Sequence, residues 1–142
     1  MNRTFSKPTR SLRILIVDNR HARGLEIERT LNLLGYYRIA PLRQMGELQS
    51  VVKHALNCID LLLVHHDVSR DPDLDLQTYC RSSPMIRHFI IYGDSQTSIT
   101  AMPLWLPRVN VTIANLPDVD LLARVMRVME LLAGTKRQRS PY

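Results

Sequence analysis

No stretch of this sequence approaches the ~20 consecutive apolar residues of a membrane-spanning helix, and its N-terminus has none of the apolar character of a secretory signal. The expectation is a cytoplasmic chain that inserts into no membrane. Cysteine is scarce. Cys58 and Cys80 are the only two and form no C-x-x-C spacing, which argues against a disulfide framework and points to buried free thiols in a reducing compartment. Phosphate-loop glycines are missing too: Gly93-Asp94-Ser95 reads as a strand-to-helix turn. Asp71, Asp73 and Asp75 look briefly like a calcium loop, but a loop starting at Asp71 would need glycine where Leu76 stands and glutamate where Ser82 stands. These acids suit the start of a following helix better. No nucleophile–base–acid set can be assembled from spacing, so the chain is not expected to be an enzyme. There is no internal repeat.

What is present suits one domain. A chain of 142 residues, 45% hydrophobic and 23% charged, buries roughly 70% of its unfolded surface on folding, enough for a core of its own. The net charge of +6 is unevenly placed. Arg3, Lys7, Arg10 and Arg13 lie in the first thirteen residues, and Lys136, Arg137 and Arg139 in the last nine. The body between them holds twelve basic residues against all thirteen acids and is close to neutral. Basic tails can bind nucleic acid or an anionic surface, but no recognition motif accompanies these, and nucleic acid is not the expected partner.

Residues 1–12, polar and basic without hydrophobic period, read as a flexible arm. The run Ile14-Leu15-Ile16-Val17 has the character of a strand buried on both faces of a parallel sheet, and Asp18 and Asn19 end it. Helical spacing follows from about Arg20 to Leu34, with Gly35 placed as a helix-terminating glycine. The alternation repeats: strand at Arg38–Leu42, helix through Leu48 to Leu56, strand at Ile59–Val64, weak helix at Leu74–Arg81, strand at Phe89–Tyr92. Segment 95–106 is helical at best, because Pro103 and Pro107 limit it. A last strand is expected at Val109–Ala114 and a strong helix at Val119–Leu132, with Gly134 ending the order. Five strands, each followed by a helical segment, imply βαβ units: a doubly wound, five-stranded parallel sheet in a three-layer α/β/α sandwich, flavodoxin-like, over residues 13–133. Residues 134–142 then form a basic C-terminal tail. In such sheets the functional crevice lies beyond the carboxyl ends of the strands.

In their order and spacing these segments resemble the receiver domain of response regulators in two-component signalling. Ile14 to Asp18 resembles the first strand and its acidic end. The interval from Asp18 to Gly35 matches the first helix, Ile59 to Val64 the strand before the phosphoacceptor, and the interval from Tyr92 to Ala114 the spacing from switch hydroxyl to lysine. The resemblance implies two carboxylates holding Mg²⁺, an aspartate nucleophile, a small hydroxyl and a lysine. In those places stand Asp18 and Asn19, then His65, then Tyr92, then Ala114. Only Asp18 is intact, so this is an atypical, degenerate member in which ordinary phosphotransfer and Mg²⁺ binding are not expected.

Three other uses of the pocket are weaker: Asp67 as a displaced phosphoacceptor, a metal site from Asp18, His65 and Asp67, and phosphorylation of His65 itself. Slippage along a loop loses alignment with the other groups, and the adjacent His65 and His66 point apart in extended chain. The expectation is that His65 caps its strand, hydrogen-bonded to Asp18 or to backbone, while His66 faces solvent. No cofactor is expected. Trp105 and Leu106, between the two prolines, and Met126 and Leu131 on the last helix are the candidate partner-binding residues. They lie where the family presents its output surface, and a homodimer through the last-helix face is a further option. The expectation is a pseudo-receiver that works by phosphorylation-independent contact with a signalling or output protein. The alternatives are a phosphorylatable receiver using Asp67 and a nucleic-acid-associated regulator using its tails. The chain is either a stand-alone adaptor or the N-terminal receiver of a longer regulator, with Met1 and the abrupt tail favouring the former.

Overall fold

The computed structural model describes residues 11–93 and 108–139, the side chains of 134–139 excepted. Every residue of β1 (Ile14–Val17) is buried, because the strand lies inside the sheet with helices on both faces. The other strands are β2 (Ile39–Leu42), β3 (Ile59–His65), β4 (Ile86–Tyr92) and β5 (Asn110–Ile113). All are parallel, in the order β2-β1-β3-β4-β5, the flavodoxin-like order of a doubly wound α/β protein. The helices are α1 (His21–Leu33), α2 (Met45–His54), α3 (Leu76–Ser82) and α4 (Val119–Arg139).

Alternation along the strands feeds two cores. Ile14, Ile16, Leu61, Leu63, Ile90 and Tyr92 face α1 and α4, where Ile27, Leu31, Leu122 and Val125 meet them. Leu15, Val17, Leu62, Val64, Phe89 and Ile91 face α2 and α3, packing on Met45, Leu48, Leu76 and Cys80. Cys80 is therefore an inert thiol, its pKa pushed up to about 12 by burial. Cys58 is half-buried, and both cysteines are free.

Local signals set the ends. Gly35 adopts φ +98 after α1; its N–H donates to Asn32 O and the Tyr36 N–H to Leu31 O, both at 3.0 Å. This Schellman closure seats Tyr36 in the core beside Leu31. Glu47 caps α2 by accepting the N–H groups of Arg43 at 2.8 Å and Gln44 at 3.0 Å. Pro41 is tolerated because β2 is an edge strand.

Several boundaries differ from expectation: α2 spans Met45–His54 and leaves Leu56 outside the helix, and α3 spans Leu76–Ser82. β4 begins at Ile86, not Phe89, because His88 sits inside the sheet as a neutral ring whose Nδ1 accepts the Val109 N–H at 2.9 Å. Gly134 does not end the order: α4 runs on to Arg139. A mid-helix glycine costs only about 1 kcal/mol, and the Thr-Lys-Arg-Gln-Arg that follows continues a helix readily. The expected helix over 95–106 lies outside the described residues. Among the described residues no helix is long and apolar enough to cross a membrane.

Candidate functional site

The order of the strands reverses at β1, so the crevice opens where β1 and β3 end. Asp18 leaves β1 there and is 2% exposed. Its Oδ1 accepts the Arg20 N–H at 2.9 Å, a turn that aims the chain into α1. Within the first turn of that helix, Arg23 comes back onto the same carboxylate. Nη2 donates to Oδ1 at 2.8 Å and Nε to Oδ2 at 2.9 Å, a two-pronged guanidinium–carboxylate pair. From the end of β4 the Tyr92 hydroxyl donates to Oδ2 at 2.7 Å. Burial alone would push the Asp18 carboxyl up, but hydrogen bonds from Arg23, the Arg20 backbone and Tyr92, together with the Arg23 charge, hold it below the ordinary carboxylate range. Burial first, and then the Asp18 contact, raises Tyr92, so it stays a phenol and a donor. Asn19 is half-buried and accepts a longer contact from Arg23 Nη2 at 3.3 Å.

β3 ends in His65, 8% exposed. Its Nδ1 accepts the Asp67 N–H at 3.1 Å, so the expected bond goes to backbone and not to Asp18. Burial, then the Arg23 charge, lowers its pKa. The ring is neutral, and with Nδ1 accepting, the proton resides on Nε2. It lies edge-on to Tyr92, centroids 5.3 Å apart, and over Gly93. A Cβ at Gly93 would stand 2.4 Å from His65 Nε2, and the glycine adopts φ +91. Glycine is needed here on both grounds.

His66 and Asp67 are exposed. No hydrogen bond or ion pair joins the Asp67 carboxylate to Asp18 or its partners among the described residues. Ala114, exposed beyond β5, brings no charge. The structure thus gathers Asp18, Asn19, His65 and Tyr92 and leaves Asp67 and Ala114 at the rim. Sequence reasoning missed Arg23. The available signal was a basic residue in the first turn of the helix that follows an acidic strand end.

These residues do not fit Mg²⁺. A hard cation wants several free anionic oxygens, whereas both Asp18 oxygens are committed, Asn19 faces Arg23, and β3 ends in an imidazole. Among the described residues no three His, Cys, Asp or Glu side chains converge. Beside the pocket an open groove of about 880 Å³ is lined by Asn19, Arg43, Gln44, Glu47, Val68 and Arg70.

The proposed partner face needs correction. Met126 is 2% exposed; it packs in the core with Leu122, Val125 and Met129, because the buried stripe of α4 is wide enough to include it. It cannot meet a partner. Leu131, 66% exposed, does lie on the surface, with Val128 one turn away. Trp105 and Leu106 lie outside the described residues. No protein-family model, curated protein or solved structure matches the chain.

Proposed function

We propose that this chain is an atypical, receiver-like module that signals by protein–protein contact in the cytoplasm without aspartyl phosphorylation, as neither an enzyme nor a cofactor protein. One observation carries the reading: the buried carboxylate of the pocket, Asp18, is saturated from within by Arg23 and Tyr92, while a neutral histidine ends β3. The positive charge that a metal and a lysine would supply is replaced by an arginine fixed in the fold. Among the described residues, no unpaired carboxylate stands at the end of β3 to be phosphorylated. A partner that prefers one of two conformations tenfold shifts their balance by about 1.4 kcal/mol, so no covalent switch is required. Leu131 and Val128 on α4 offer an apolar contact for a signalling partner or a second copy, and the groove at Arg43 and Arg70 offers a polar one.

The test is an NMR titration with Mg²⁺ and then beryllofluoride, following the amides of Asp18, His65, Asp67 and Tyr92. The expected result is no saturable shift at any of the four. Saturable shifts centred on Asp67 would overturn the reading and restore a phosphoacceptor displaced by two residues.

A further inference from the structure

In a parallel sheet with helical crossovers, every strand starts at one end of the domain and every helix finishes there. That end, opposite the Asp18 crevice, gathers five arginines of the domain. Arg13, Arg38 and Arg108 stand just before β1, β2 and β5, Arg87 near the start of β4, and Arg81 in the last turn of α3. Arg13 Nη1 donates to Asn57 O at 2.8 Å and Arg38 Nη1 to Ser11 O at 3.1 Å. Arg108 bonds four carbonyls, those of Cys80, Arg81, Ile86 and Arg87. The acceptors are neutral carbonyls, and no ion pair joins these five guanidinium groups to a carboxylate among the described residues. The acids at this end are Asp60, which accepts the Arg13 N–H at 2.8 Å, and Glu130, bonded to the Tyr36 hydroxyl.

Both basic tails join the domain here. Residues 1–10, with Arg3, Lys7 and Arg10, meet it at Ser11. The Tyr36 contact fixes Glu130 near this end, so the remaining residues of α4 extend the helix by about 13 Å beyond it; Lys136, Arg137 and Arg139 lie on that extension. Large apolar side chains share the same end without cover: Leu56 is 94% exposed, Leu33 83% and Tyr37 65%. Leu56 shares a groove of about 590 Å³ with Arg13, Arg38 and Arg87 against the single carboxylate of Asp60, and Tyr37 lines a neighbouring one with Arg13 and Arg38.

We propose that this end docks on an anionic lipid bilayer, its arginines meeting headgroup phosphates and carboxylates while Leu33, Tyr37 and Leu56 enter the headgroup layer. A duplex backbone would use the arginines and gain nothing from exposed leucines. A bilayer rewards the combination, since stable peripheral binding takes a polybasic field plus apolar insertion. Docked this way, the domain turns its Asp18 crevice and the Arg43 groove toward solvent, open to a protein partner. The inference does not depend on the signalling reading.

Flotation of the full chain with vesicles tests it, using phosphatidylcholine alone and phosphatidylcholine mixed with phosphatidylserine. The protein should float with the anionic vesicles only and be released by salt. Arg38→Gln and Arg87→Gln should each weaken partitioning about fivefold. Leu33→Ser combined with Leu56→Ser, which leaves charge unchanged, should weaken it about tenfold, circular dichroism confirming that each variant folds. Failure to float with anionic vesicles overturns the proposal. So does wild-type binding by the leucine variant, and displacement from vesicles by duplex DNA in that variant would assign the surface to nucleic acid.

Discussion

Arg23 and Asp18, five positions apart in the chain, form the single ion pair among the described residues, the guanidinium 28% exposed and the carboxylate 1%. Its geometry does within the fold what a bound cation does from solution: it neutralises a carboxylate that the end of β1 has drawn out of water. Removing one partner of such a pair leaves an uncompensated buried charge. Arg23→Met should therefore cost about 3 kcal/mol. Adding Asp18→Asn should recover much of that loss, giving a coupling of more than ~1 kcal/mol in urea titrations of the four proteins. Additive losses would mean that the two side chains do not act as a pair.

The same pairing gives a pH signature. Asp18 titrates lower in the native protein than its ordinary 3.8. Its contribution is therefore complete above pH 3.8 and is lost as pH falls from there through the native value. Thermal unfolding across the acid range should show wild type losing stability faster than Asp18→Asn in that window. Parallel curves would contradict the assignment.

His88 works at higher pH. Burial, followed by the charges of Arg87 and Arg108, lowers its pKa from 6.5 to about 4. The unfolded chain takes up this proton first, so stability declines as pH falls below 6.5 and continues to decline until about pH 4. The full loss is about 3 kcal/mol. His88→Asn, able to accept the Val109 N–H without titrating, should flatten most of that slope, the remainder coming from His65. An unchanged slope would place the titrating group elsewhere.

What the sequence made legible follows from where its signals are local. The run Ile14–Val17 and the run Ile59–Val64, broken only by Asp60, read as central strands, and Gly35 marks the end of α1 by a backbone conformation that side chains disfavour. From these the layer order and the crevice at Asp18 follow. The start of β4 was hidden because His88 looks polar in sequence and is made acceptable only by an N–H from across the sheet. Arg23 was hidden for a related reason: on a helix, an arginine reads as a solvated charge until the strand end beside it is seen to be buried. Met126 sits at the margin of the apolar stripe of α4, and only the packing of α4 against α1 and the sheet decides its side.

Gly93 and His65 supply a test of the pocket's packing. Gly93→Ala places a methyl group against the His65 ring at a positive φ. The conformational part costs about 1–2 kcal/mol and the overpacking about 1–3 kcal/mol. His65→Ala removes only the second part, so the double variant should be more stable than the sum of the single losses by more than ~1 kcal/mol. Simple additivity in chemical denaturation would show that the ring does not occupy this space.

Met126 and Leu131 separate the core of α4 from its surface. Met126→Ala empties part of a core shared with Leu122, Val125 and Met129 and should destabilise by about 2–4 kcal/mol. Leu131→Ser, at a position 66% exposed, should change stability by less than ~0.5 kcal/mol. Their effects on association should run the other way. If α4 carries the partner or self-contact, Leu131→Ser weakens it with the fold intact, while a folded Met126→Leu, which keeps volume, binds as wild type. Calorimetric unfolding together with sedimentation of the two variants reads both quantities. Loss of association in Met126→Leu but not in Leu131→Ser would move the contact off this face of the helix.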